Sequence, residues 1–170
     1  IYYSDINIEI NKKVNKNVRY NAVIANQTYN KDFLEGKTPG EYGVLNSTIA
    51  VLDLSYRIKK GHTIRFETQA LFSKQLETAS KEAEGDWLMA LAEYTISPNW
   101  FFAIQDMYNY GNENESKRLH YMNLNVGFLK GSTRFEIGYG KKREGIFCVG
   151  GVCKLVPSSN GLNLSITTSF

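Results

Sequence analysis

The chain has 170 residues, 42% of them hydrophobic and 22% charged, with a formal net charge of +3 and two cysteines. That length supports one domain with its own core, and the basic residues are spread along the chain, which argues against a nucleic-acid partner. No run reaches the roughly 18 to 20 apolar residues of a membrane-spanning helix. A mean hydropathy of -0.35 excludes little, because in a membrane barrel only alternate residues face lipid.

The amino terminus, Ile1 to Asp5, has no basic stretch, apolar stretch and cleavage site in series, so no export signal is read there. Ile6, Ile8 and Ile10 then share one face against Asn7, Glu9 and Asn11, the two-residue period of a strand. The same alternation returns in Val18, Tyr20, Ala22 and Ile24, in Ala50 to Ile58, and in Ile64 to Phe72. Trp87 to Ala92 and Trp100 to Tyr110 also read as strands, but with apolar residues on both faces. Either something packs against their second face or a bulge shifts the register. Met122 to Phe128, Phe135 to Tyr139 and Leu162 to Phe170 restore strict alternation. Helical periodicity fits none of these segments.

The connections alternate in length. Short turns fall at Asn15-Lys16-Asn17, Lys59-Lys60-Gly61, Ser97-Pro98-Asn99 and Lys130-Gly131-Ser132, and long polar connections at Asn30 to Asn46, Lys74 to Gly85, Gly111 to Arg118 and Lys141 to Asn160. Outer-membrane barrels show this asymmetry, with short turns in the periplasm and long loops outside. About nine strands is an odd count, whereas bacterial single-chain barrels usually have an even one, so strand material is expected before Ile1.

The final segment alternates up to Phe170 and resembles the insertion signal read by the barrel-insertion machinery. Tyr20, Tyr56, Tyr94, Phe128 and Phe170, with Trp100 or Phe102 nearby, gather towards the short-turn side, as an aromatic girdle does; ordinary strand aromatics in a soluble core are the other reading. The opposite parity carries Arg19, Asp53, Arg57, Arg65, Glu67, Glu93, Asn123, Asn125, Arg134 and Glu136, which would be costly in lipid or in an apolar core. These are expected to line the lumen, as a salt-bridged filling or as a selectivity lining.

Cys148 and Cys153 flank a glycine-rich stretch and read as a local disulfide that stiffens an exposed extracellular loop. Its apolar residues, Ile146, Phe147, Val149 and Val152, either form a binding tip or pack back into a barrel mouth. Neither Asn112-Glu-Asn-Glu115 nor Glu77 to Glu84 has the ligand spacing of a cation loop, so no metal is expected. The two histidines sit in no nucleophile or phosphate-loop motif, so neither catalysis nor a cofactor is expected.

Tyr42-Gly-Val-Leu-Asn-Ser-Thr-Ile-Ala50, Gly85-Asp-Trp-Leu-Met-Ala90, Phe135-Glu-Ile-Gly-Tyr-Gly140 and Gly145-Ile-Phe-Cys-Val-Gly-Gly-Val-Cys153, running on to Phe170, resemble an uncharacterised family of Bacteroidota outer-membrane β-barrel proteins. The resemblance implies location and architecture, and longer members with a signal sequence; it implies no activity. The expectation is therefore one all-β domain over 1–170, an antiparallel up-and-down transmembrane β-barrel that is the carboxy-terminal portion of a larger one. It would lie in the bacterial outer membrane, with lipid and the insertion machinery as partners. Three functions compete: a pore or transporter for small solutes, a scaffold for a surface or periplasmic protein, and a soluble lipocalin-like ligand-binding barrel.

Overall fold

The computed structural model describes residues 2–76 and 79–169. Eleven strands form in chain order: β1 (Tyr3–Lys13), β2 (Val18–Asn30), β3 (Val44–Lys59), β4 (His62–Gln75), β5 (Trp87–Ile96), β6 (Trp100–Tyr108), β7 (Asn123–Lys130), β8 (Thr133–Lys142), β9 (Gly145–Val149), β10 (Val152–Val156) and β11 (Ser159–Thr168). A one-turn helix, α1 (Lys31–Leu34), follows β2. Among the described residues no helix is long and apolar enough to cross a membrane, which says nothing about crossing by strands.

Nine strands make one antiparallel sheet in the order β1-β2-β3-β4-β5-β6-β7-β8-β11, and β9 and β10 pair separately as a hairpin. The large sheet is an open meander with β1 and β11 as its edges, not a barrel closed on itself among the described residues. Every short turn lies at one end and every long connection at the other. Gly61, at φ +79, takes the left-handed conformation in the tight β3–β4 return, where a side chain would be strained.

The two-residue period runs across the sheet as well as along each strand. One rung reads Tyr20, Leu54, Phe66, Ala92, Ile104, Leu124, Tyr139 and Leu162 through successive partners, and the next on that face reads Val18, Tyr56, Ile64, Tyr94, Phe102, Val126, Ile137 and Leu164. Both are apolar or aromatic at every step. The rung between them, on the other face, reads Arg19, Ser55, Arg65, Glu93, Ala103, Asn125, Gly138 and Asn163. Among the described residues nothing covers the apolar face: Ile137 is 55% exposed, and Leu164 and Ile166 are each 71% exposed.

The buried core lies on the other, inner face. Met89, Leu91, Phe101 and Ala103, from β5 and β6, pack against Phe147 and Val149 of the hairpin. The two-sided apolar runs at Trp87 to Ala92 and Trp100 to Tyr110 thereby find their reason, since the β5–β6 register is unbroken and the hairpin supplies what packs there. The connection from Lys141 to Asn160 is accordingly no simple polar loop: its cysteine segment packs inward through Phe147 and Val149, while Ile146, Val152 and Leu155 stay exposed. Nearer the long loops, Val23, Ile49, Val51 and Leu71 continue an apolar inner surface on β2 to β4, where they are half-buried.

Candidate functional site

The hairpin and the polar inner face it covers form the most elaborated site in the molecule. Cys148 and Cys153 are directly opposite each other in the β9–β10 register and are joined as a disulfide. The clamp sets the hairpin's shape, and Gly150 at its tip has φ +56. A Cβ there would lie 2.7 Å from the Arg134 guanidinium and 2.8 Å from the Phe101 ring, so the close approach itself requires glycine.

Two strands of the large sheet hold that tip. Its Gly150 N–H donates to Glu93 Oε2 on β5 at 2.7 Å. Arg134, on β8, donates from Nη1 to the Gly150 carbonyl and from Nη2 to the Val149 carbonyl, each at 2.9 Å. The same guanidinium pairs with Glu136 at 3.1 Å and lies over the Phe101 ring, 4.2 Å from its centre. Lys154, on β10, completes the group by reaching Glu136 at 3.4 Å. Glu93 and Glu136 are 7% and 6% exposed, so Glu136 depends on Arg134 and Lys154 for solvation and Glu93 on the Gly150 N–H.

Sequence parity points all the lumen candidates to the inner face, and the structure sorts them into four groups. Arg134, Glu136 and Glu93 meet at the hairpin tip, while Asn123 and Asn125, both fully buried, are linked at 2.6 Å. Asp53, Arg65 and Glu67 form a second cluster: Arg65 Nε donates to Asp53 Oδ2 at 2.7 Å and pairs with Glu67. Arg19 and Arg57 stand apart from both, exposed at the short-turn end. Phe170 lies outside the described residues, as do Glu77 and Thr78 of one acidic loop.

The hairpin's seat, Met89, Leu91, Phe101 and Gly127, was not among the sequence candidates. Its signal was the second apolar face of β5 and β6, together with a glycine opposite an aromatic: Phe101 pairs with Gly127, where any Cβ would overlap the ring.

At the long-loop end the inner space opens into two adjoining cavities of about 580 and 760 Å³, both lined by Lys31, Tyr42, Glu84 and Arg143. Cations cap the aromatic walls, with Arg143 4.3 Å from the centre of the Trp87 ring and Lys31 4.4 Å from that of Tyr42. The rim is ordered by Asp32 of α1, whose buried carboxylate accepts from the backbone N–H groups of Gly40, Glu41, Tyr42 and Gly43 at 2.8 to 3.1 Å. Burial pushes the Asp32 pKa up, but those four donors together outweigh it and leave the group below its ordinary value.

The family model that matches spans residues 1–170. The chain belongs to DUF6029, a family of unknown function. No curated protein and no solved structure matches it.

Proposed function

We propose that the chain is an integral β-barrel element of a bacterial outer membrane, with the disulfide-clamped hairpin as a plug in a passage for small polar solutes. The observation that carries this reading is the inversion of polarity between successive rungs. A soluble ligand-binding barrel of lipocalin type places its apolar parity inside, whereas here that parity is the uncovered one across eight consecutive strands. Buried in lipid, the apolar rungs need no other cover, and the inward charges keep water or one another as partners.

The sheet edges extend the proposal. Nine antiparallel strands leave β1 and β11 running the same way, so pairing them directly would make a parallel join. An odd number of further strands from the same protein makes both joins antiparallel and the total even, the usual rule of bacterial barrels. A wider barrel also leaves room beside the hairpin for solute. Insertion by the barrel machinery and the absence of catalysis belong to the same reading.

The test is conductance of the full-length protein in planar bilayers, before and after release of the hairpin by Arg134→Ala. A passage gives low conductance that rises in the variant. A barrel silent in both forms, yet inserted in lipid, gives the scaffold reading its place.

A further inference from the structure

The short-turn end of the inner face holds a second feature, unconnected with the hairpin. Lys13 and Arg19 are direct cross-strand partners on β1 and β2, and Arg57 follows on β3 one inner rung nearer the turns. Lys16 of the β1–β2 turn joins them around a pocket of about 230 Å³, with the hydroxyl residues Ser55 and Thr63 in its wall. No acidic residue lines it. Among the described residues no carboxylate pairs with any of the four cations.

That arrangement is costly by itself. Like charges placed directly opposite across an antiparallel pair repel, and sheet registers normally avoid them. The carboxylate on Arg57's own strand and face, Asp53, is four residues up the strand, roughly 13 Å away by strand rise, and is already engaged by Arg65. Among the described residues, the four positive charges of this concave wall thus have no negative charge to answer them.

We propose that this pocket binds a phosphate group. Its size falls below the roughly 300–1,000 Å³ of sites for drug-sized ligands, which sets the occupant as a small anion. A carboxylate offers two oxygens, which one arginine fork satisfies, whereas two arginines, two lysines and two hydroxyl groups match the several oxygens and higher charge of a phosphate. Chain separation hid the site: Lys13, Lys16 and Arg19 meet Arg57 only through the β2–β3 register. The inference goes beyond the membrane reading and does not rest on it.

The experiment is calorimetric titration of the full chain, in a phospholipid-free detergent, with inorganic phosphate. Saturable binding is expected, weakened about tenfold or more in Arg57→Gln and in Arg19→Gln, the loss of a charge-assisted bond in each case. Lys16→Gln, on the exposed turn, should weaken it in the same direction and guards against misfolding of the strand variants. Repeating the titration with phosphatidylglycerol micelles present separates the sources: competition assigns the phosphate to a lipid headgroup, and unchanged affinity assigns it to a free anion. Absence of saturable heat, equal displacement by chloride, or indifference to all three variants overturns the proposal.

Discussion

Arg19 and Arg134 occupy equivalent places, each the second residue of its strand and each inward-facing beside a short turn. Their surroundings differ completely. On β5 to β8 the hairpin covers the inner face, and Arg134 is committed to two carbonyls, a carboxylate and an aromatic ring. On β1 to β3 at the same end nothing covers the face, every β1 residue is exposed, and Arg19 has no acidic partner among the described residues. One inward charge is thus spent on structure and the other is left for a ligand; the cover decides which.

The largest expected effect breaks the covered half. Arg134→Ala removes the nearer partner of the buried Glu136, leaving it only Lys154, and frees the Val149 and Gly150 carbonyls, so it should destabilise hairpin docking by about 3–5 kcal/mol. Faster hydrogen exchange at Val149 to Val152 checks this. The same change at Arg19 should alter stability by no more than about 0.5 kcal/mol, as exposed sites generally do. Equal losses at the two sites would erase the contrast.

A second substitution sharpens the difference between faces. Ile137→Arg on the outward face should cost about 2–4 kcal/mol of folding into lipid vesicles if it lies near mid-bilayer. Glu67→Gln, inward on β4, should leave insertion almost unchanged. Equilibrium unfolding in urea from vesicles measures both. Gly127→Ala follows at about 1–3 kcal/mol, since its methyl group meets the Phe101 ring under the hairpin.

The smallest effect concerns the rim. The folded pKa of Asp32 lies below its unfolded value, so its contribution is full above the ordinary carboxylate range and is lost as pH falls through the folded pKa. Exchange at the Gly40 to Gly43 amides should therefore quicken on acidification beyond the intrinsic pH dependence. In Asp32→Ala these amides should be fast at every pH.

The strands of the large sheet were legible in the sequence because alternation is a local property: Ile64 to Phe72 and Leu162 to Ile166 carry it whatever lies nearby. The unequal connections were legible for the same reason. The hairpin was not, because Ile146, Phe147, Val149 and Val152 have the same composition whether they form a tip or a buried contact. Met89 and Phe101 signalled that some partner packs against them, but its identity is a long-range fact set by the fold. The cysteines announced their bridge by their spacing and the glycines between them, and the basic pocket depended on a register that no short window contains.

On the membrane reading, neighbouring residues on one strand meet different solvents. This is tested most directly by nitroxide labels placed singly at Glu136 and Ile137 through introduced cysteines, in protein refolded into lipid vesicles. The Ile137 label should be relaxed strongly by oxygen and weakly by a water-soluble nickel complex, as a lipid-facing site is. The Glu136 label should be shielded from oxygen and packed against the hairpin. Strong relaxation of the Ile137 label by the nickel complex, with little effect of oxygen, would contradict the membrane reading.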